Sequence, residues 1–288
     1  MPSWRASAGW KMLAEAGVRL RQSVSDALFP KTCYACGNFI PVERRAPGAN
    51  PADLAGMSPK AAFYRVMHPY LCPACMTDYA PVGTPLCTRC GEPFGSRADG
   101  DHLCGDCITR NKHFSRARAC AVYDGALLHL IHAYKYKRRI GLAKPFGLLM
   151  YLEFMRHYSD ADIDTVAAVP LHQRRLRSRG YNQAFLMVRR WPQLLRKNGQ
   201  LPAAGFRIDA DILIRRKNTA TQTGLNRRTR IKNMKNAFVV KHPDRVAGKN
   251  VLLVDDVYTT GSTAEECARM LVRAGAAGVF VLTLARAV

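Results

Sequence analysis

Long apolar segments are missing from this sequence. No stretch reaches the roughly 18–20 consecutive apolar residues that a membrane-spanning helix needs. Glu15 and Asp26 interrupt residues 1–30, where a secretory signal would need a continuous apolar core. We therefore expect a cytoplasmic protein. Thiols stay reduced in that compartment, so the 10 cysteines are not expected to form disulfides.

Acidic residues are also scarce. The chain of 288 residues has 21 Asp and Glu against 44 Lys and Arg, which gives a formal net charge of +23 and an isoelectric point near 10.0. Such a field attracts polyanions, among them nucleic acid, anionic lipid and phosphorylated small molecules. The hydrophobic content of 48% excludes a disordered chain, and the length suffices for one ample core with a smaller second domain.

Most of the cysteines occur in CxxC pairs. Each pair forms a tight turn that aims two thiolates at one cation, and two pairs complete the tetrahedral four-sulfur site of structural zinc. The simplest pairing is sequential, so that the first two pairs hold one zinc ion and the last two hold another. The predicted ligands are Cys33, Cys36, Cys72, Cys75, Cys87, Cys90, Cys104 and Cys107. Cys120 and Cys267 stand outside the pairs and are predicted to be small buried apolar residues.

The chain divides into three predicted regions. Residues 1–29 have the periodicity of an amphipathic helix, which would either pack on its own domain or lie on a membrane surface. Residues 30–115 are predicted to form a double zinc-ribbon domain that needs metal to fold. Within it, residues 41–62 are polar and rich in Pro, Ala and Gly, which predicts a mobile insert. Residues 116–288 form the third region.

Residues 251–263, with the sequence VLLVDDVYTTGST, are the most informative stretch. An apolar run predicts a buried parallel strand, two acids follow where that strand would end, and a hydroxyl-rich turn leads into a predicted helix at 264–274. Backbone N–H groups at a helix N-terminus hold phosphate, and carboxylates accept hydrogen bonds from vicinal hydroxyls. The stretch predicts a sugar-phosphate site made of Asp255, Asp256, Thr259, Thr260, Gly261, Ser262 and Thr263.

Basic residues follow several other predicted elements. A helix at 125–137 ends in a basic run that contains Lys135, and a buried strand at 164–169 leads into an arginine-rich loop that ends at Gly180. A polar, basic segment at 215–230 is predicted to be mobile when no ligand is bound. These cations contact either a polyanion or only solvent. The candidates for pyrophosphate or DNA contact are Arg174, Arg175, Arg179, Arg230 and Lys135.

Strands and helices alternate along the third region, which predicts the α/β class. Further predicted helices cover residues 141–158 and 182–196, the second with a kink at Pro192. A loop is predicted at 199–205. The remaining predicted strands are 119–123, 211–215, 238–240 and 279–284.

Residues 254–263 resemble the 5-phosphoribosyl 1-pyrophosphate (PRPP) motif of type I phosphoribosyltransferases. The resemblance implies the type I phosphoribosyltransferase fold, a mostly parallel sheet with flanking helices. It also implies that Asp255 and Asp256 bind the ribose hydroxyls, that residues 259–263 bind the 5′-phosphate, and that magnesium accompanies the pyrophosphate. Arg174, Arg175 and the 215–230 segment would then cover the pyrophosphate.

The resemblance extends to the ComF family (ComFC, or GntX-like proteins), which combines such a fold with a double zinc ribbon. It is based on the CxxC pairs, the PRPP motif and the segments 123–125, 135–137, 169–175, 179–183, 215–238 and 284–286. The long insert in the first ribbon departs from the family and puts the filling of the first zinc site in doubt. Family membership implies a role in natural transformation, in which single-stranded DNA crosses the inner membrane.

Three functions follow as hypotheses. The first is a PRPP-binding protein that acts in uptake or use of single-stranded DNA, with Tyr181 either stacking on bases or packing internally. The second is an active phosphoribosyltransferase of unknown acceptor, and the third is a PRPP sensor that regulates DNA binding. The expected partners are PRPP, single-stranded DNA and a translocation helicase or the uptake machinery at the inner face of the membrane.

Overall fold

The computed structural model describes Leu28 and residues 30–41, 51–95, 100–197, 206–217 and 234–288. Its strands are β1 (Arg116–Val122), β2 (Thr165–Ala168), β3 (Arg207–Asp209), β4 (Leu213–Arg215), β5 (Phe238–Val240), β6 (Asn250–Tyr258) and β7 (Gly278–Arg286). Five strands form a sheet with the order β1-β7-β6-β2-β3, in which every neighbouring pair is parallel. β4 and β5 form a separate antiparallel pair.

Helices cover both faces of this sheet. In chain order they are α1 (Pro51–Leu54), α2 (Pro59–Met67), α3 (Pro73–Thr77), α4 (Gly105–Thr109), α5 (Gly125–Tyr136), α6 (Ala143–His157), α7 (Gln173–Arg179), α8 (Gln183–Val188), α9 (Trp191–Lys197) and α10 (Ser262–Arg273). The predicted α/β class, with a mostly parallel sheet and flanking helices, is confirmed. The strands predicted from apolar runs correspond to β1, β2, β4, β5, β6 and β7, whereas β3 was not predicted.

Two packed cores lie on the two faces of the sheet. Successive side chains of a strand point to opposite faces, and in β6 Leu252 and Val254 pack with α5, α6 and α8, whereas Val251 and Leu253 pack with α10. We call these the first and the second core. Cysteines of the first predicted zinc site belong to the first core, and cysteines of the second site belong to the second core. Each ribbon therefore packs on its own face.

β6 continues beyond the end of its neighbour β2. The ladder between the two strands ends at Ala168 and Val254, whereas β7 pairs with β6 as far as Tyr258. The prediction that the strand ends before Asp255 was therefore wrong, because pairing with β7 extends it past both acids. Since β2 stops short, the two acids border an open crevice at the carboxyl edge of the sheet, the place where α/β proteins bind ligands.

Residues 51–62 are not part of a mobile insert, although the composition of 41–62 predicts one. Residues 42–50 lie outside the described part of the chain, but α1 and α2 follow them. Leu54 and Ala62 are buried in the first core, and Arg156 of α6 donates a hydrogen bond to the backbone oxygen of Met57 at 2.6 Å. Ser58 caps α2 by accepting from the N–H of Ala61. Packing and capping together order this half of the insert.

Two further predictions are corrected by the structure. The arginine-rich segment after β2 is not a loop, because α7 begins at the cap residue His172 and ends at Gly180, whose φ of +85° is the left-handed conformation of a helix C-terminus. The helix predicted at 182–196 is two helices, and it breaks at residues 189–190 rather than kinking at Pro192.

Some predictions fall on residues that the structure does not describe. The amphipathic helix at 1–29 lies outside the described residues except for Leu28, and so do residues 199–205 and the greater part of 215–230, including Arg230. Within the described part of the chain, no helix has the length and apolar content of a membrane span.

Candidate functional site

A cavity of about 460 Å³ opens at the carboxyl edge of the sheet. It brings together the predicted phosphate-site residues Asp255, Asp256, Thr259, Gly261 and Thr263 with the predicted basic contacts Lys135, Arg175 and Arg179. Thr260 and Ser262 do not line it. Their hydroxyl oxygens lie 2.7 Å apart within the turn. Arg174 is exposed and also lies outside the lining.

Asp255 and Asp256 enter the cavity from the two faces of the sheet, because they are successive residues of β6. Asp256 is 4% exposed, and its Oδ1 lies 2.7 Å from Nζ of Lys135, which α5 presents on the first core. Its other oxygen, Oδ2, is buried and has no hydrogen-bond partner among the described residues. A buried carboxylate oxygen without a partner is costly, so this atom is a candidate ligand contact.

The carboxylates of Asp255 and Asp256 lie close together and repel each other. Burial and the nearby carboxylate of Asp256 raise the pKa of Asp255 from 3.8 to about 7, although Lys135 acts in the opposite direction. Burial lowers the pKa of Lys135, but the carboxylate of Asp256 raises it more, so that its net pKa lies above 10.5. The ammonium group thus remains charged and neutralises one of two crowded carboxylates.

The turn between β6 and α10 requires glycine at position 261 for two reasons. Its φ of +72° is the left-handed conformation that side chains rarely adopt, and a Cβ there would lie 2.2 Å from Oη of Tyr258. The ring of Tyr258 therefore packs directly against the turn. Gly261 has no side chain to cap α10, and the hydroxyl of Thr260 accepts a long hydrogen bond of 3.4 Å from the N–H of Ser262. The first N–H groups of this helix therefore suit a phosphate.

Three arginines line the cavity. Arg175 and Arg179 come from α7, and Arg179 donates a hydrogen bond of 2.6 Å to Oε1 of Gln183. Arg215 comes from β4 and is 8% exposed, with its guanidinium 5.4 Å from the ring centroid of Phe238. Burial and the neighbouring Arg175 lower the pKa of Arg215. A group of buried or half-buried guanidinium ions at a cavity is suited to an anionic ligand.

An aromatic wall formed by Tyr123, His132 and Tyr136 completes the cavity. His132 contacts both tyrosines, with Nε2 3.0 Å from Oη of Tyr123 and its ring centroid 5.6 Å from that of Tyr136. Tyr136 is 62% exposed, and the guanidinium of Arg179 lies 5.4 Å from its ring centroid.

Tyr181 instead packs against the first core and donates a hydrogen bond to the backbone oxygen of Tyr134. Of its two predicted roles, the structure supports internal packing.

The eight paired cysteines form two clusters, Cys33–Cys36–Cys72–Cys75 and Cys87–Cys90–Cys104–Cys107, in which all sulfurs lie within 4.8 Å of one another. This confirms the sequential pairing of the CxxC turns. A tetrahedron with zinc–sulfur bonds of about 2.3 Å has sulfur–sulfur edges of about 3.8 Å. One such edge is 3.7 Å in each cluster, from Cys36 to Cys72 and from Cys90 to Cys104. Both clusters therefore fit zinc.

Sequence reasoning missed several residues of the cavity. Gln183 and the aromatic wall were not assigned to the site, whereas Arg215 belongs to the 215–230 segment that was expected to cover the pyrophosphate. The spacing of Leu128, His132 and Tyr136 along α5 puts them on one helical face, which was the available signal. Nothing in the sequence alone indicates that this face borders the acid pair.

The chain matches known families in two ways. The model of the double zinc ribbon domain matches residues 65–108. The DNA utilization protein YhgH of Escherichia coli K12 is 37% identical over 205 residues, which are 70% of this chain and 84% of that protein. Competence protein F of Haemophilus influenzae is 30% identical over 224 residues, or 75% of this chain and 90% of that protein.

A solved structure also matches. The glutamine PRPP amidotransferase from B. subtilis superposes with a TM-score of 0.33 and 18% identity, over 53% of this chain and 30% of that one. A TM-score this low carries no argument about the ligand. The identity and coverage of the curated relatives show that this chain, with its double zinc ribbon, belongs to the ComF/YhgH family.

Proposed function

We propose that this protein binds PRPP with magnesium in the cavity at the carboxyl edge of the sheet, and that it acts in the uptake or use of single-stranded DNA. One observation carries the proposal. Two carboxylates, one of them with a buried oxygen that has no partner among the described residues, line one cavity with the N-terminus of α10 and several arginines. A sugar that carries phosphate at one end and pyrophosphate at the other matches this distribution of charge.

Each part of PRPP has a counterpart in the site. The vicinal ribose hydroxyls would donate to Asp255 and Asp256, which supplies the missing partner of Asp256 Oδ2. The 5′-phosphate would accept from the first N–H groups of α10 and from the hydroxyls of Thr259 and Thr263. The pyrophosphate would meet Arg175 and Arg215. The absence of a side chain at Gly261 lets the backbone approach the phosphate closely.

Magnesium fits the donor set. Mg²⁺ is a hard cation that proteins hold with one or two carboxylates and the phosphates of the substrate. Asp255 and Asp256 are the carboxylates of the cavity, and Lys135 already contacts one oxygen of the pair. A magnesium ion bound with PRPP would neutralise the negative charge of the pyrophosphate, and its protein contacts would be the remaining carboxylate oxygens.

Calorimetric titration of PRPP, with and without magnesium, tests this proposal. We expect binding by the native chain, and Asp256→Asn should weaken it by at least about tenfold, because the charge-assisted hydrogen bonds of the ribose hydroxyls are lost. Asp244→Asn is the matched control, since Asp244 is exposed and does not line the cavity. Equal affinity of the Asp256→Asn variant and the native chain would refute the proposed site.

The DNA role rests on the relatives and on the charge. The relatives are named for DNA utilization and competence, and a net charge of +23 favours a polyanion. Tyr136 is the exposed ring of the cavity wall, with Arg179 beside it. An exposed aromatic ring next to a guanidinium is the arrangement on which unpaired bases stack. We assign the stacking role to Tyr136 in place of Tyr181.

Fluorescence anisotropy with a labelled oligothymidine tests the DNA role. The affinity should fall steeply with salt, because bound cations of the DNA are released on binding. Tyr136→Leu should weaken binding about tenfold, and Tyr136→Phe should retain it, since base stacking contributes about 1–3 kcal/mol per base. Phe39→Leu is the control, because the ring of Phe39 is similarly exposed, at 69%, and lies outside the cavity. Binding that does not respond to salt would contradict this role.

A further inference from the structure

The second cysteine cluster and the phosphate turn belong to the same packed core. Cys87, Cys90 and Cys107 are buried there together with Tyr258, the last residue of β6, and with Ala264 in the first turn of α10. The first cluster packs in the other core, on the opposite face of the sheet. The second cluster therefore shares its core with residues that flank the phosphate turn, whereas the first cluster packs on the opposite face, although their cysteine patterns are alike.

Arg286 connects the second cluster to the end of β6. It is the last residue of β7, pairs with Tyr258 in the ladder, and is 3% exposed. Its Nη1 donates to the backbone oxygen of Cys90 at 2.7 Å, and its Nη2 forms an ion pair with Glu92. Two separate contacts thus fix a buried guanidinium to the CxxC turn and to the residue that follows it by two positions.

Tyr258 continues the connection to the turn. The guanidinium of Arg286 lies 4.6 Å from the ring centroid of Tyr258, which is 6% exposed. The hydroxyl of the same tyrosine lies against Gly261, where an added Cβ would come within 2.2 Å of Oη. Such tight packing leaves the turn little room to move unless the ring moves, and the ring is held by Arg286.

A second contact joins the same ribbon to the start of α10. His113, which follows the last cysteine of the second cluster by six positions, donates its backbone N–H to Oε2 of Glu265 at 3.1 Å. Its Nδ1 lies 2.6 Å from Oε1 of the same carboxylate. Glu265 is in the first turn of α10. The ribbon thus contacts both sides of the phosphate turn, the strand end and the helix start.

We propose that Arg286 and Tyr258 are positioning residues that transmit the order of the second cysteine cluster to the turn 259–263, so that zinc in this cluster raises the affinity for phosphorylated ribose. Zinc in the first cluster has no such effect. The inference rests on the proposed function and adds a form of regulation to it. Loss of zinc from the second cluster would release the ligand while the sheet and the first ribbon persist.

Two cysteine variants compare the clusters. Cys104→Ser removes a half-buried ligand of the second cluster, and Cys36→Ser removes an exposed ligand of the first. Ribose 5-phosphate is the calorimetric probe, and elemental analysis reports the zinc content. We expect Cys104→Ser to lose one zinc ion and at least about fivefold in affinity, the lower end of usual coupling between sites. Cys36→Ser should lose the other zinc ion and bind ribose 5-phosphate as the native chain does.

Variants of Arg286 and Tyr258 test the connection between the second cluster and the turn without replacing a cysteine. Arg286→Met should keep both zinc ions and weaken ribose 5-phosphate binding at least about fivefold. Tyr258→Leu should do the same, whereas Tyr258→Phe retains the ring and should bind with native affinity. If Cys104→Ser fails to fold, these variants still test whether the second cluster affects ligand affinity. Native affinity in both Arg286→Met and Tyr258→Leu would overturn the inference.

Ligand protection of zinc separates positioning from a general loss of stability. Coupling between sites is reciprocal, so ribose 5-phosphate should slow the release of zinc to a colorimetric chelator from Cys36→Ser, which retains the second cluster alone. The same protection should vanish when Arg286→Met is added. Equal release with and without ribose 5-phosphate would overturn the inference. If the native chain does not bind ribose 5-phosphate or PRPP at all, the proposed function itself fails, and this inference with it.

Discussion

Replacement of Asp255 by asparagine should make the fold more stable and the ligand site weaker. Asp255 lies beside Asp256 at the sheet edge, and its pKa of about 7 means that the fold disfavours its ionised form. Asparagine removes the charge and keeps an oxygen for the hydrogen bond of 2.8 Å that Asp255 Oδ1 accepts from the N–H of Asp256. The same substitution removes an acceptor for the ribose hydroxyls, so PRPP affinity should fall.

The gain in the free energy of unfolding that Asp255→Asn gives increases with pH. The folded pKa lies above the unfolded one, so ionisation of Asp255 opposes folding, and the cost grows from pH 3.8 up to about 7 and is constant above. At 1.36 kcal/mol per pH unit, this difference is at most about 4 kcal/mol at pH 8 and at most about 2 kcal/mol at pH 5.5. Asp255→Asn should recover this cost, and its gain should therefore be larger at the higher pH.

Urea unfolding of the zinc-loaded native chain and of Asp255→Asn, at pH 8 and pH 5.5, measures this difference. The free energy of unfolding should rise in the variant at both values, about twice as much at pH 8 as at pH 5.5. Asp244→Asn, on an exposed carboxylate, should change neither. A gain that is equal at the two pH values, or a loss of stability at pH 8, would refute the assignment of a raised pKa to Asp255.

Three other changes have defined outcomes. Lys135→Met leaves the buried carboxylate of Asp256 without its ion pair and should lower the free energy of unfolding at pH 8 by about 3 kcal/mol, measured in urea. Gly261→Ala puts a side chain at a φ of +72° and against Tyr258, so PRPP affinity in calorimetry should fall at least about tenfold. Elemental analysis of the native chain should give two zinc ions, and Cys33→Ser should give one.

Local sequence signals predicted the central features well. The apolar run, the acid pair, the turn and the helix at 251–274 are consecutive in the chain, so their order alone places the acids beside a helix N-terminus. The four CxxC pairs were equally informative, since each turn is local and sequential pairing is the simplest closure. The two clusters have this pairing.

Predictions failed where distant contacts decide the structure. β6 continues past Asp255 because β7 pairs with it as far as Tyr258, and the strand's own residues do not encode that ladder. The half of the insert at 51–62 is ordered by single apolar residues such as Leu54 that reach the first core. Composition averages over such residues and therefore indicates mobility where there is packing.

The arginine-rich segment failed for a different reason. None of the residues of α7 is buried, so the segment has no apolar periodicity from which a helix is usually predicted. Its signals are the cap at His172 and the left-handed Gly180, which are short and easily read as a turn. Arg215 was expected at the pyrophosphate as part of the 215–230 segment, and the pairing of β4 with β5 fixes its position at the cavity.

The cavity between the acid pair and the turn 259–263 is the proposed PRPP site. A crystal structure of the full chain with PRPP and magnesium would show whether PRPP binds there. We expect electron density for the ribose against Asp255 and Asp256, with the 5′-phosphate at the N–H groups of α10 that follow Gly261. PRPP bound elsewhere on the chain, or a cavity that stays empty at saturating PRPP and magnesium, would contradict it.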